Sequence, residues 1–323
     1  MNRRTFLGAA VSSAALDLSA KGGPMPIIDT HIHLFDPTRP QGIPWPEKDN
    51  KDDEVLYHPA LPDRYRQLTQ GLGIVGVIEV ECSPWLEDNQ WVLDIAEKDT
   101  MIVGTVGDLE PGKPDFLKHL ERFHRNPLFR GIRCGNLWGR NFAGDVDRAD
   151  YLTDIKALAD AGLGMDTADQ SMPNVEAVVR LTDKVPNLRV VLDHLPQTDP
   201  PADPAARKER DNYLRELASR PGIFMKLSEI LRRVDGKVPV DLEFYRARLD
   251  EIWGIFGEDR IIFGSDWPNS DRWGSYQQVF DLAHDYVMAK GVAVAEKFYW
   301  KNSIRAYNWI KRAANQPEVV KSL

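Results

Sequence analysis

Cysteine is nearly missing from this chain. Its 323 residues include two, Cys82 and Cys134, too few for a disulfide framework or a cysteine-based zinc site. Basic clusters are missing as well. Lys and Arg number 41 against 49 Asp and Glu, the formal net charge is -8, and no Lys/Arg-rich run occurs, which argues against nucleic acid as a partner. No apolar stretch after the N-terminus is long enough to span a bilayer, so no membrane partner is expected. No glycine-rich dinucleotide fingerprint follows the first apolar run, which weakens the case for an open doubly wound sheet. Solenoid repeats and low-complexity segments are also absent.

What is present is an ordinary globular composition, 42% hydrophobic and 28% charged. From Pro26 onward, short runs rich in β-branched residues recur at 27–32, 75–80, 102–106, 131–133, 163–165, 189–192, 223–227 and 261–263. They are continuous apolar runs, as expected of strands buried on both faces. Longer segments with helical spacing separate them. Leu152, Ile155, Leu158 and Ala159 form one apolar stripe, and Val175, Val178, Val179 and Thr182 form another. Pro62-Asp63, Pro114-Asp115 and Ser171-Met172-Pro173 have the character of helix starts, and Gly162 that of a helix end. Eight strand–helix units predict one (β/α)8, TIM-type barrel over residues 25–312. The tail, 313–323, is expected to be loose.

The first 24 residues differ from the rest. Arg3-Arg4-Thr5-Phe6-Leu7 is followed by a small apolar stretch, as in a twin-arginine export signal. Periplasmic localisation is expected, with cytoplasmic as the alternative. A second unusual segment, 34–61, has little periodicity, carries Trp45, Tyr57 and His58, and leaves the first strand from its C-terminal end. It is expected to lie over the barrel mouth, where a long loop is usually functional.

In a barrel the chemistry sits at the C-terminal strand ends. The polar residues there are His31 and His33, Glu79 and Glu81, Arg133, Asp166, Asp193 and His194, Lys226, Ser228 and Glu229, and Asp266. Histidines at i and i+2 share one face of a strand and can converge on a metal or on a water. Asp266 can serve as general base or carboxylate ligand. One parity of each strand faces the lumen, so Asp193 and His194 are not expected to point inward together, and His194 is the choice.

Asp29-Thr30-His31-Ile32-His33, Leu192-Asp193-His194-Leu195-Pro196 and Gly264-Ser265-Asp266-Trp267-Pro268 resemble the amidohydrolase superfamily (amidohydrolase-2 type). Within it they resemble the branch of fuconolactonases and 2-pyrone-4,6-dicarboxylate lactonases. Val103-Gly104, Asp108-Leu109-Glu110-Pro111 and Arg130-Gly131-Ile132-Arg133 follow the order of that branch. The resemblance runs from Pro26 to Ile310.

The resemblance implies a hydrolase that opens a sugar or carboxylated lactone. Asp266 would activate water, and His31, His33 and His194 would hold or polarise the carbonyl. Arg133 would bind a substrate carboxylate or hydroxyl with its guanidinium fork. The fourth run ends without a lysine and the fifth without a histidine, so a two-metal centre is not expected. One divalent ion, zinc first among them, held by His31, His33 and Asp266 with Glu81 or His194 completing its shell, fits the residue count. So does metal-independent hydrolysis. Trp45, Trp85, Trp138 and Trp267 follow strand ends and are expected to offer flat surfaces to a ring-shaped ligand, with Arg130, Arg133 and Arg140 near the same rim. The alternatives are a metal-dependent decarboxylase of aromatic or muconate-like acids, and a non-catalytic periplasmic small-molecule binding protein.

Overall fold

A computed structural model of the chain describes residues 25–169, 171–195 and 200–319. The expected export segment therefore lies outside the described residues, as do residues 196–199.

Eight parallel strands form one sheet in sequence order: β1 (Ile27–Ile32), β2 (Ile74–Val80), β3 (Ile102–Gly107), β4 (Phe129–Gly135), β5 (Gly164–Ala168), β6 (Arg189–Leu192), β7 (Ile223–Leu227) and β8 (Ile261–Phe263). Helices fill the connections: α1 (Pro62–Leu68), α2 (Leu86–Lys98), α3 (Phe116–His124), α4 (Phe142–Asp145), α5 (Ala149–Asp160), α6 (Met172–Lys184), α7 (Pro204–Ser219), α8 (Leu242–Phe256) and α9 (Tyr276–Met288). After α9 come α10 (Val292–Glu296) and α11 (Asn302–Tyr307). This is the (β/α)8 barrel the alternation predicted. β4 and β5 run further than expected because Cys134 and Thr167 continue the ladder. Among the described residues no helix is long and apolar enough to cross a membrane.

The barrel closes just beyond β8. The Asp266 amide donates to the His31 carbonyl at 2.9 Å, and the His33 amide donates to the Trp267 carbonyl at 2.8 Å. The lower lumen is apolar, filled by Ile28, Ile78, Val103, Val191, Phe224 and Ile262. Tyr307 and Trp309, from α11 and its exit, plug it from below. Arg130 and Arg189 donate to the Tyr307 and Ala306 carbonyls at 3.1 and 3.3 Å. Arg130 thus sits at the start of β4, the end opposite the mouth where it was expected.

The predicted stripes of α5 and α6 face the sheet, with Ile155, Leu158, Val175 and Val178 buried. Pro62 opens α1, and Ser171 stands at the N-cap position of α6 without a side-chain capping bond. The 34–61 segment folds back through a Phe35–Ala60 bridge, which carries Trp45 to the mouth.

The tail requires a correction. Gln316 is buried, and its amide donates to the carbonyls of Val75 and Thr100 at 2.9 and 2.8 Å while accepting from the amides of Arg312 and Ala313. Arg312 donates to the Asp99 and Ile102 carbonyls, both at 2.8 Å. These side chains satisfy backbone groups around the start of β2 and β3, so the described part of the tail, to residue 319, is tied to the barrel.

Candidate active site

β1 supplies the histidines through an irregularity. Between Asp29 and Ile32 it advances three residues while β2 advances two, Val77 to Glu79. Such a bulge resets the alternation of side chains. Asp29 consequently leaves the lumen and ties the outside of the wall together. It accepts from Tyr65 Oη at 2.7 Å, Tyr276 Oη at 3.0 Å and the Ser265 amide at 2.8 Å. His31 and His33 turn inward, their rings edge to face at 4.9 Å.

Asp266 meets them. Its Oδ1 lies 3.4 Å from His31 Nε2 and 3.2 Å from His33 Nε2, and its Oδ2 accepts from Asn269 Nδ2 at 2.6 Å. His194 completes the group, its ring 4.6 Å from that of His31. All four side chains are at least nine-tenths buried. His33, His194 and Asp266 line a cavity of about 500 Å3 whose walls include Trp45, Trp138, Asp169, Glu229 and Arg272, and His31 is fully buried beside them.

The backbone around this cavity is strained. Seven non-glycine residues among those described have positive φ, and five of them, Trp138, Asp169, His194, Glu229 and Asp266, line the cavity. Such conformations cost about 1–3 kcal/mol each and concentrate where function requires a fixed side-chain direction. The left-handed turn at His194, φ 64°, corrects the parity expectation. Asp193 points into the lumen from the end of β6, and the turn swings His194 over the same lumen one residue later.

Beneath the histidines lies a charge cluster that strand-end reasoning named without connecting. Lys226 Nζ donates to Asp193 Oδ1 at 2.7 Å, Asp166 Oδ2 at 2.9 Å and His31 Nδ1 at 3.0 Å, and the side chain is fully buried. Tyr307 Oη donates to Asp166 at 2.7 Å. Arg133 Nε donates to Asp193 Oδ2 at 2.9 Å, one terminal nitrogen donates to His194 Nε2 at 3.1 Å, and the other reaches the Glu81 carbonyl at 3.5 Å. Arg133 lines the cavity, yet its fork is turned into the protein.

These contacts assign protons. A guanidinium only donates, so His194 Nε2 accepts and its Nδ1 carries the proton given to Ser228 Oγ at 2.8 Å. Burial, reinforced by Arg133 and Lys226, holds His194 down at about 4, neutral near pH 7. Burial opposes ionisation of Asp266, but His194, the His33 hydrogen bond and His31 outweigh it and hold its carboxyl well below the usual carboxylate range. Burial likewise opposes ionisation of Asp193, and Lys226, His31 and Arg133 keep it charged. Burial pushes Asp166 up to about 7 against the pull of Lys226.

The other expected residues divide. Trp45 and Trp138 line the cavity, Trp45 edge-on to His33 at 5.8 Å. Trp267 does not reach it: fully buried, it packs outside the barrel wall against Tyr65 at 5.2 Å. Trp85, 39% exposed at the start of α2, is also outside the lining. Arg140 forms a two-pronged pair with Asp108 instead of facing the mouth. Asn269 and Arg272 were not anticipated. They follow Asp266 in a 3-10 turn, and their polar sequence, Asn-Ser-Asp-Arg, reads equally as a surface loop.

His31, His33 and Asp266 suit a single metal ion. Their donor atoms lie within 4.8 Å of one another, and His31 Nε2, though buried, makes no hydrogen bond. Tetrahedral bonds of roughly 2.0–2.1 Å separate neighbouring ligand atoms by about 3.3 Å, which the 3.4 and 3.2 Å gaps to Asp266 match. Glu81 does not complete this shell, because its carboxylate is not among the donor atoms that cluster with His31, His33 and Asp266. His194 does not either while Arg133 and Ser228 occupy its nitrogens.

Comparison with known proteins agrees with this architecture. The amidohydrolase family profile matches residues 28–309. L-fucono-1,5-lactonase of Burkholderia ambifaria is 26% identical over 254 residues, covering 77% of this chain and 82% of that protein. The crystal structure of an amidohydrolase from Burkholderia multivorans with bound zinc superposes with a TM-score of 0.77 at 23% identity, covering 88% of this chain and all of that one. A probable 2-pyrone-4,6-dicarboxylic acid hydrolase from Acinetobacter baumannii, with citric acid bound, gives a TM-score of 0.67 at 17% identity over 88% of this chain and all of that one. The profile match spans the barrel from its first strand to its C-terminal plug, and the chain belongs to the amidohydrolase family.

Proposed function

We propose that this protein hydrolyses the ring ester of a neutral, polyhydroxylated lactone. The observation that carries the reading is the convergence of His31, His33 and an ionised Asp266 on one point beside a walled cavity that His33 and Asp266 line. Relatives named as L-fucono-1,5-lactonases, in two Burkholderia species, support lactone as the substrate class. The cavity walls favour a neutral ring over a carboxylated one. Asp169, Asp193, Glu229 and Asp266 face two guanidiniums, Arg133 and Arg272. Arg133 is committed to Asp193, and Arg272 to Asp53 across the mouth. Carboxylates accept hydrogen bonds from sugar hydroxyls and repel a substrate carboxylate.

In this mechanism a water beside Asp266 loses its proton to the carboxylate as its oxygen attacks the lactone carbonyl. His31, whose buried Nε2 makes no hydrogen bond, stabilises the oxygen that takes up charge. The ring C–O bond breaks, the departing alkoxide receives the proton from Asp266, and the product is an open-chain hydroxy acid. Trp45 and Trp138 offer flat faces for the ring. A zinc ion held by His31, His33 and Asp266 would supply Lewis-acid polarisation of the carbonyl and acidify a bound water. The Arg3-Arg4 segment supports a periplasmic site of action.

The test is proton release from a panel of aldonolactones and carboxylated lactones, with and without chelator. Turnover of neutral lactones is expected, falling about 100- to 10,000-fold in Asp266→Asn, the usual range for loss of a general base. Carbon dioxide release from an aromatic acid would identify a decarboxylase instead. No turnover of any lactone, or near-wild-type rates in Asp266→Asn, would overturn the reading.

A further inference from the structure

The loop between β1 and α1 is closed at its neck and held at its far side. Phe35 and Ala60 exchange backbone hydrogen bonds at 3.2 and 2.8 Å, so 36–59 is one excursion from the wall. Near its start Arg39 is clamped to α2, donating to both oxygens of Asp88 at 2.9 and 3.2 Å. The far side is fixed from the turn that follows β8. Asn50 caps a short 3-10 turn, Lys51–Asp53, by accepting from the Asp52 amide at 3.0 Å. This turn leaves Asp53 only 2% exposed, and a buried carboxylate requires a counter-charge. Arg272 supplies it. One terminal nitrogen donates to Asp53 Oδ1, and Nε donates to the Asp52 carbonyl at 3.2 Å. The same guanidinium lies 5.4 Å from the centre of the Trp45 ring. Its other terminal nitrogen donates to Asn269 Oδ1. A guanidinium only donates, so the oxygen of the Asn269 amide faces Arg272. Its Nδ2 then faces Asp266 Oδ2 at 2.6 Å and Glu229 Oε1 at 3.0 Å.

We propose that Arg272 is a positioning residue that joins the 36–59 loop to the support of Asp266, so that one guanidinium sets both the ring-binding face of Trp45 and the orientation of the Asn269 amide. Three acceptors on two separate turns call for a planar fork of donors, and a lysine ammonium, a compact point charge, does not reproduce it. The two legs fail differently. Loss of the loop leg frees Trp45 and weakens substrate binding in ground and transition state alike, which shows in KM. Loss of the Asn269 leg lets the amide turn its oxygen toward the Asp266 carboxylate, two acceptors face to face, which shows in kcat. The inference rests on the proposed hydrolysis only for these effects on rate. The hold on the loop is read without substrate.

The experiment compares wild type with Asp53→Asn, Arg272→Gln and Arg272→Lys. Asp53 accepts from Arg272 on one oxygen and from the Glu47 amide at 2.8 Å on the other, so an amide there must turn a donor toward one of them. Limited digestion with trypsin reads the loop through the exposed Lys48 and Lys51, because cleavage of a locally opened segment tracks how often it opens. Cleavage at these lysines is expected to quicken about 10- to 100-fold in all three variants, the range for losing a hydrogen bond to a charged group. In steady-state kinetics with a neutral aldonolactone, Asp53→Asn should raise KM about 10-fold with kcat nearly unchanged, by the same measure. Arg272→Gln should raise KM as much and also lower kcat about 10-fold, and Arg272→Lys should follow it. Because Asp53 is buried, Arg272→Gln, at a side chain 21% exposed, carries the cleavage readout if Asp53→Asn fails to fold. Unchanged cleavage, equal kcat in Asp53→Asn and Arg272→Gln, or full rescue by lysine would each overturn the proposal. Wild-type inactivity toward every lactone, with faster cleavage in the variants, would count against the proposed function and leave the hold of Arg272 on the loop standing.

Discussion

The backbone amide of Asp266 donates to the backbone carbonyl of His31 at 2.9 Å, and this bond belongs to the seam that closes the barrel. The residue assigned to activate water is thus fixed by the contact that joins the last strand to the first. Closure and catalysis share their geometry, and three predictions follow from the packing at this seam and the charges below it, and a fourth from the donor set.

Gly264 is the tightest point of the seam. Gly264→Ala would drive a methyl group against His31 Cβ and the Lys226 stem. Overpacking of this kind costs about 1–3 kcal/mol. The variant should unfold at lower temperature and lose turnover disproportionately, because His31 is what moves. Unchanged melting and unchanged kcat would show that the seam has slack.

Arg133 was expected to dock a substrate carboxylate, and its donors instead engage Asp193, His194 and Glu81. Arg133→Lys should therefore lower kcat/KM for every lactone alike. The loss should be roughly 10- to 100-fold, matching the ~1.5–3 kcal/mol of a hydrogen bond to a charged group. A loss confined to carboxylated substrates in steady-state kinetics would restore the docking role.

Metal content should not exceed about one ion per chain, the occupancy of a single-ion site. β4 offers Arg133 in place of a bridging lysine, and Asp166 on β5 is taken by Lys226 and Tyr307. Elemental analysis after mild purification checks this, and two tightly bound ions would contradict it.

Asp166 should leave a mark on stability. Burial raises its carboxyl to about 7, from about 3.9 in an unfolded chain. The folded protein keeps a proton there that the unfolded chain has released. Its stabilising contribution is full below about pH 4 and is lost as pH rises through about 7. The stability of Asp166→Asn relative to wild type should therefore climb across that window and level off above it. Urea denaturation from pH 4 to 8 measures the difference, and a flat one would be inconsistent with the buried, protonated acid.

The barrel was legible in the sequence because its signals are local. Apolar runs of strand length, amphipathic stripes and Pro or Gly punctuation fixed all eight strands, four of them to the residue: β1, β6, β7 and β8. The histidine pair and Asp266 were legible for the same reason, since each stands where a short run ends. What stayed out of reach depends on contacts between distant residues. A bulge in β1 expels Asp29 while admitting His31, a left-handed turn lets Asp193 and His194 share the lumen, and burial sends Trp267 outside the wall while Gln316 locks the tail beneath it. Two-residue periodicity carries none of this, because each outcome is set by which partner satisfies a buried polar group or fills a gap. Lys226 is the sharpest case. In sequence it is one lysine at a strand end, and only the folded barrel brings it against Asp166, Asp193 and His31, 60, 33 and 195 positions away.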